Sequence, residues 1–436
     1  MTTTYSGPVL PASLTPARVE RLATLVAAGT GAQRVTTACP YTGEPLAELP
    51  VCTPDDVEAA FARARAAQAA WAAVPVAERS RIMLRFHDLV LRRQEQALDL
   101  MQAESGKTRR DAFLEVSDIA ITARYYARSA RRLLAPKRRR GAIPVLTHTT
   151  ELHHPRGVVT VISPWNYPLS MAAGDAIPAL MAGNAVVQKP DTQTALTALW
   201  ALELMREAGL PADLWQMVVG RGSSIGAVLM DGADHVMFTG STASGRRIAR
   251  DAGERLVGAS LELGGKNAMV VLPDADIEKA AAGAVAACFP SAGQLCVSIE
   301  RLYVAEEIHD AFVAAFVERT RAMRLGAAYD FSVDMGSLTT PAQLETVGSH
   351  VDDAVSKGAT VLAGGAWGSV DAPMGGMGDS GLGRRHGADG LLEYTEAQTI
   401  AHQRLRGFTP PRGVEHEQWA RILTRAFRTL RALGVR

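Results

Sequence analysis

Apolar positions along this chain change period from one stretch to the next, and the changes divide it. Thr53-Pro54-Asp55-Asp56 opens a helix, with a capping hydroxyl, a proline in the first turn and acids near the positive end. Val57, Phe61 and Ala64 then share one face, and the pattern carries the helix to Trp71. Glu78 to Glu104 reads as a second helix, with Ile82, Phe86, Leu89 and Val90 spaced for burial and Ser105-Gly106-Lys107 as its stop. A third runs from about Asp111 to Leu134. Beyond it the period shortens. Ala142 to His153 alternates weakly, as an extended hairpin or arm does. Gly157 to Ser163 is an apolar, β-branched run suited to a buried parallel strand. Ala185 to Lys189, Gln216 to Val219 and Val236 to Thr239 repeat it, separated by helical stretches at Ala172 to Ala182 and Thr194 to Ala208 and followed by one at Ala243 to Ala252. Strand and helix therefore alternate from Gly157 to about Leu263, which predicts an α/β fold on a doubly wound parallel sheet. Ala268 to Leu272 and Ile277 to Phe289 begin a second α/β unit, continued by helices over Ile308 to Ala322 and Leu344 to Lys357. Residues 1–34 are weakly patterned and are expected to form a mobile lead-in.

The 436 residues suffice for two or three domains with large cores. Basic and acidic residues number 46 and 45, which argues against a nucleic-acid partner. Cys39, Cys52, Cys288 and Cys296 form no CxxC pair, so reduced thiols in a cytoplasmic protein are expected, with no disulfide scaffold and no metal site. The first residues lack a charged segment followed by an apolar one, and no apolar run reaches the length of a membrane span; neither secretion nor a membrane partner is expected. Arg124, Arg128, Arg131 and Arg132 lead into Pro136-Lys137-Arg138-Arg139-Arg140, a run that suits a solvated face or a subunit edge.

Candidate chemistry changes the picture at a few points. Cys296 follows Ser291-Ala292-Gly293-Gln294-Leu295, and Glu262 stands between two leucines beside Gly264-Gly265. A thiolate can attack a carbonyl carbon, and a carboxylate in apolar surroundings can activate water. Taken singly, the cysteine reads as a small buried hydrophobe and the glutamate as a strand-edge charge. Their company shifts that weighting. Trp165, Lys189 and Gly240 each follow a strand end, and ligands of a doubly wound sheet bind beyond the carboxyl ends of its strands. Gly240-Ser241-Thr242-Ala243-Ser244-Gly245 opens a helix whose free N–H groups suit a pyrophosphate. Lys189 is placed for ribose hydroxyls or a phosphate.

In this order and at these spacings, Val161 to Pro168, Gln188 to Thr192, Phe238 to Gly245 and the Glu262 and Cys296 stretches resemble the aldehyde dehydrogenase superfamily, from about Thr36 to about Gln403. Gly293-Gln294-Leu295-Cys296 and Met374 to Gly381 are most similar to its succinate-semialdehyde dehydrogenase branch. The resemblance implies oxidation of an aldehyde, succinate semialdehyde first, to the acid through a cysteine thiohemiacetal and thioester. It implies Cys296 as nucleophile, the Asn166 amide and the Cys296 N–H as oxyanion donors, and Glu262 as the base for water. It implies that Trp165, Lys189, Thr192, Gly222, Gly240, Ser241, Gly245 and Leu263 line the dinucleotide site. Relatives that prefer NAD+ often carry glutamate where this chain has Thr192, so NADP is the expected cofactor, with NAD possible. The implied division is a dinucleotide-binding domain at 35–140 and 155–262, an oligomerisation arm at 141–154 and 395–408, and a catalytic domain at 263–394. A homo-oligomer is the implied state.

The chain also departs from that pattern. Gly174 and Pro290 stand where well-known succinate-semialdehyde enzymes place arginines for the substrate carboxylate, which leaves another aliphatic aldehyde open. Gly364-Gly365 passes directly to Ala366-Trp367, where the family carries an intervening block with a Glu-x-Phe-Gly-Pro motif; no such motif occurs here. The resemblance therefore implies a catalytic domain truncated near 365/366, with an impaired or inactive relative that retains nucleotide binding as the alternative reading. Finally, residues 412–436 form an amphipathic helix, Trp419, Ile422, Leu423, Ala426, Phe427, Leu430 and Leu433 opposing four arginines, which is expected to pack on its own protein or a sister subunit.

Overall fold

The computed structural model describes residues 10–140, 148–363, 381–382 and 410–433. The chain enters through helix α1, Pro16–Ala23, capped by the Thr15 hydroxyl. Over its described residues, 10–34, this corrects the expectation of a mobile lead-in. Leu14 and Leu22 are buried in the main core, and Ala27 N–H donates to the Met217 carbonyl at 2.8 Å, so the segment extends the central sheet. Strands β1, Arg34–Ala38, and β2, Pro45–Pro50, form an antiparallel pair that the sequence pattern did not reveal.

Helix α2, Pro54–Ala73, starts at the Thr53 and Asp56 capping box that its sequence announced. The expected single helix from Glu78 to Glu104 is two, α3, Val76–Arg92, and α4, Gln94–Ser105, broken at Arg93 where φ is −110° and ψ 21°. The break has a packing reason. α3 buries one face, whereas α4 is buried all round from Ala97 to Ser105, which requires it to leave the α3 axis and enter the layer between α5 and α7. Gly106, at φ 72°, ends α4 in the left-handed conformation that glycine tolerates. Helix α5, Arg109–Leu133, follows, and the backbones of β3, Lys137–Arg140, and β4, His148–Glu151, pair antiparallel, with β3 lying ahead of the 141–154 stretch expected to form the arm.

The central sheet comes next: β5, Val158–Ile162; α6, Pro168–Ala182; β6, Ala185–Lys189; α7, Ala195–Glu207; β7, Trp215–Met217; α8, Gly222–Asp231; β8, His235–Thr239; α9, Thr242–Glu254; and β9, Gly258–Glu262. Its order is β9-β8-β5-β6-β7, all parallel, with Gly381–Leu382 added antiparallel beside β9. The chain runs from β5 outward to β7, then returns to β8 on the other side of β5. Right-handed crossovers put α6 and α7 on one face and α8 and α9 on the other. The strand reversal between β5 and β8 opens a crevice at their carboxyl ends.

The second unit pairs β10, Asn267–Val271, with β11, Ile299–Val304, in parallel around α10, Ile277–Cys288. Helix α11, His309–Arg321, covers α10 over a small core of Val271, Ala281, Ala284 and Phe312, and α12, Pro341–Ser356, follows. Val270, Leu272 and Tyr303 remain exposed.

The last described helix, α13, His416–Ala432, lies on α3 and α5. Its inward stripe is Ala420 and Thr424, buried, with Leu423 and Phe427 half-buried against the core, while Ile422 and Leu433 are exposed, which moves the apolar face from the one expected. Polar pairs rotate the helix into this setting: Thr424 Oγ1 donates to Gln94 Oε1 at 3.0 Å, Arg428 to the Leu91 carbonyl at 2.8 Å, and Arg431 pairs with Asp88 at 3.3 Å. The 365/366 junction and the 395–408 part of the arm lie outside the described residues.

Candidate active site

Strand ends place the first group of side chains. β5 ends at Ile162, and Ser163 N–H still donates to the Lys189 carbonyl at 3.1 Å, tying the turn after β5 to the end of β6. That turn carries Trp165 and Asn166. The ammonium of Lys189 is largely buried and reaches the Pro190 carbonyl at a long 3.5 Å. Burial pushes its pKa below the usual lysine value, with Asp191 pulling it back. Asp191 itself turns to the backbone: its carboxylate accepts from Gln193 N–H at 3.0 Å and caps a single 3₁₀ turn at Thr192–Thr194. Thr192 therefore begins that turn beside Lys189.

After β8 the chain turns at Gly240, whose N–H donates to the Glu262 carbonyl at 3.0 Å. A β-carbon on Gly240 would come within 2.6 Å of the Phe238 ring, so the turn admits only glycine without a shift. Ser241 caps α9, its hydroxyl accepting from Ser244 N–H at 3.3 Å. Gly245 lies so close to Leu263 that any side chain would displace it; these two site residues form a packing contact that holds α9 against the end of β9. A β-carbon on Gly222, at the start of α8, would meet open space. The Thr239 hydroxyl is buried among these elements without a hydrogen-bond partner. Arg221 Cα precedes α8 in extended conformation.

The second group surrounds Cys296, which is exposed while Cys39, Cys52 and Cys288 are buried. Burial pushes the Cys52 thiol up to about 11, which marks it as inert at neutral pH. Cys288 ends α10 in the core, the structural place expected of it. Between α10 and Cys296 the backbone makes a left-handed turn, with φ 49° at Ser291, 57° at Ala292 and 76° at Gly293. The two residues that are not glycine cost roughly 1–2 kcal/mol each there, so the surroundings must hold them. They do. Ser291 N–H donates to Asp111 Oδ2 at 3.1 Å, Ser291 Oγ to the Tyr167 hydroxyl at 3.2 Å, and Gln294 Nε2 to the Ser291 carbonyl at 2.9 Å. Gln294 Oε1 in turn accepts from Thr339 N–H at 3.1 Å.

The two groups meet at Asn166. Its Nδ2 donates to the Gln294 carbonyl at 2.9 Å, and its Oδ1 is buried without a partner. An amide NH2 carries two donors, so one remains for another acceptor. Asn267 is a residue the sequence pattern did not single out. At the start of β10, it donates from Nδ2 to the carbonyls of Cys296 at 2.7 Å and Ser298 at 3.0 Å. A polar residue directly after Gly264-Gly265-Lys266 was the available signal. Glu262 ends β9 half-buried, opposite Gly381 in the sheet register, and so belongs to the first unit, whereas Cys296 precedes β11 of the second. Among the described residues no cluster of three or more metal-ligating side chains occurs, and no helix is long and apolar enough to cross a membrane.

With this arrangement in view, the comparisons with known proteins are informative. The profile of the aldehyde dehydrogenase family matches residues 26–370. A Mycolicibacterium smegmatis protein provisionally named succinate-semialdehyde dehydrogenase (NADP+) is 44% identical over 482 aligned positions, taking in 90% of this chain and 93% of its own length. Those positions outnumber the 436 residues here, so a stretch of that relative has no counterpart in this chain. Among solved structures, an E. coli NADP-dependent enzyme superposes with a TM-score of 0.74 at 33% identity, covering 76% of this chain and 69% of that one. Betaine aldehyde dehydrogenase from Staphylococcus aureus, solved with NAD+, gives 0.75 at 29% identity and covers 80% and 71%. The chain belongs to the aldehyde dehydrogenase family of NAD(P)-dependent oxidoreductases.

Proposed function

We propose that the protein oxidises succinate semialdehyde to the acid with NADP+, through Cys296. The observation that carries the reading is the exposed Cys296 on a constrained loop whose Gln294 carbonyl is held by Asn166 Nδ2. The Cys296 thiolate attacks the aldehyde carbon and makes a thiohemiacetal. Its oxyanion accepts from the second N–H of the Asn166 amide and from the Cys296 backbone N–H. A nicotinamide dinucleotide, held by Lys189 and the start of α9, would supply the two-electron oxidant that turns the thiohemiacetal into a thioester. Glu262 then removes a proton from water, which attacks the thioester carbonyl, and the thiolate leaves as the acid forms.

The crevice suits such a dinucleotide. A buried ammonium at Lys189 with one long contact, an unpartnered Thr239 hydroxyl and the N–H groups opening α9 are groups that a pyrophosphate and ribose would satisfy. Lys189, Thr192, Gly222, Gly240 and Ser241 would hold it, with Trp165 beside them and Gly245 and Leu263 setting the helix. One Asp191 oxygen is taken up by the Gln193 N–H of its own turn, while its charge still acts on Lys189. The M. smegmatis relative's name carries the same substrate and cofactor.

One observation favours a second reading of the substrate. Gly174 and Pro290 leave the carboxylate of succinate semialdehyde without the expected arginines, and Arg301 is turned away to the Lys266 carbonyl at 2.6 and 3.1 Å. Another aliphatic aldehyde is then the better substrate. A panel of aldehydes with and without a distal carboxylate, run with both cofactors while nicotinamide absorbance is followed, tests the proposal. A kcat/KM highest for succinate semialdehyde with NADP+ supports it; an uncharged aldehyde preferred about tenfold or more would replace the substrate, about 1.4 kcal/mol in transition-state binding. A further copy of this chain as partner is part of the same proposal, with the β3–β4 pair as the arm.

A further inference from the structure

One short segment touches both loops of the candidate site. Lys107, Thr108, Asp111 and Glu115 lie at the start of α5, and all four are buried. Asp111 and Glu115 stand one turn apart on the helix, and Lys107 stands just ahead of it. The Lys107 ammonium is paired with Glu115 Oε1 and donates to the Asn166 carbonyl at 2.7 Å. It also lies 4.0 Å from the centre of the Tyr167 ring. The other Glu115 oxygen accepts from Leu169 N–H at 2.9 Å and Ser170 N–H at 3.0 Å, the first free N–H groups of α6. The turn that carries Asn166 is thus gripped at that residue's own carbonyl and again just after it. Asp111 Oδ2 accepts from the Thr108 hydroxyl at 2.8 Å and from the N–H of Ser291, the first residue of the left-handed turn that leads to Cys296.

A buried ion pair is a poor way to gain stability, since desolvation opposes it, and it is better suited to fixing geometry. Every remaining bond of this pair ends on the Asn166 turn. The loops also touch each other, through Ser291 to Tyr167 and Asn166 to Gln294, so moving one displaces the other.

We infer that Lys107, Asp111 and Glu115 are positioning residues that set the Asn166 turn and the Cys296 loop in register. The inference rests on the reading of Cys296 and Asn166 given above. Asp111 acts on the thiol through the Ser291 backbone, and Lys107 with Glu115 acts on the oxyanion donor through the Asn166 carbonyl.

The test uses the full chain with Asp111→Ala, Asp111→Asn and Tyr167→Phe. Three measurements are compared: the rate of Cys296 alkylation by iodoacetamide against pH, mapped by peptide mass; NADP+ affinity by fluorescence; and kcat and KM. Asp111→Ala should shift the alkylation profile and lower kcat about tenfold, with NADP+ affinity unchanged. Asp111→Asn retains an acceptor for Ser291 N–H and should restore most of the wild-type profile. If Asp111→Ala does not fold, Tyr167→Phe removes the Ser291 hydroxyl's acceptor and should move the profile about twofold or more. A folded Asp111→Ala protein, or a Tyr167→Phe protein in its place, with wild-type alkylation and kcat overturns the inference. Cys296→Ala, run alongside, keeps the two readings apart. Wild-type turnover in that variant removes the nucleophile, while unchanged alkylation in Asp111→Ala removes the clamp alone.

Discussion

Cys296, Cys288 and Cys52 show how much one residue's setting decides. All are thiols, yet only Cys296 meets solvent on a loop with backbone strain, so Cys296→Ala should lower dehydrogenase activity on the order of a thousandfold while Cys288→Ala retains most of it. Inactive Cys288→Ala protein with active Cys296→Ala protein would reverse the assignment. Glu262→Gln should slow thioester hydrolysis by about a hundredfold and leave acylation closer to normal, visible as a burst of nicotinamide reduction before a slow steady state. At the cofactor end, Thr192→Glu should move preference toward NAD+, because a carboxylate beside Lys189 repels a 2′-phosphate and accepts from ribose hydroxyls. The ratio of kcat/KM values for the two cofactors reads this directly. Which residues are candidates for chemistry was legible in the sequence, since strand-end position and the order of the motifs singled out Trp165, Asn166, Lys189, Gly240 and Cys296. How they are held was not. Asp111, Lys107 and Glu115 look like ordinary helix-start charges until the fold brings residues far apart in the chain against them.

At the scale of elements, the alternation of apolar strands and amphipathic helices foretold β5, β6, β8, α5 and α10 within a few residues. It failed where burial replaces periodicity. α4 is buried on every side and so has no polar face to mark it off from α3; α8 opens with Gly222 and Ser223, which read as a loop. The buried end of α4 makes a prediction of its own. Glu104 accepts from Leu196 N–H, Thr197 N–H and the Thr197 hydroxyl at the start of α7, and burial pushes its pKa up to about 8 despite those donors. The folded protein thus holds this proton more tightly than the unfolded chain. Stability from this group is greatest below the ordinary carboxylate range and is lost as pH rises from about 4.5 to about 8. A Glu104→Gln protein lacks that titration, so the stability advantage of wild type over the variant should shrink across the window, by a few degrees in Tm. A constant difference from pH 5 to pH 9 would dismiss the titration.

For the whole molecule, the two units differ in how well they are built. The sheet and its helices bury a large core, with a smaller one under α9 at the β8–β9 side, whereas the second unit has only a few buried residues around Phe312 and leaves Val270, Leu272 and Tyr303 in solvent. The alignment with the M. smegmatis protein has more positions than this chain has residues, and no Glu-x-Phe-Gly-Pro occurs to hold a nicotinamide ribose. Turnover is therefore expected to fall well below that of longer relatives, since poor fixing of the reacting partners forfeits several kcal/mol of the barrier. NADP+ should still bind through Lys189 and the start of α9. Titration of binding by fluorescence beside a steady-state assay checks both, and ordinary turnover from the purified 436-residue chain would mean that another subunit or loop supplies the missing contact.

Helix α13 carries a consequence for how the chain can be cut. It docks on α3 and α5 of the first unit, though the second unit lies between them in the sequence. Both described ends of the polypeptide therefore belong to the same body, and the second unit stands between them in the chain as an insertion. A protease that nicks the chain anywhere between Leu263 and Pro410 should yield two fragments that separate in denaturant yet travel together in a native gel, the short one retained as a non-covalent strap. The same topology makes α13 a tether: the chain leaves the first unit at the end of β9 and returns to its helices α3 and α5 through α13.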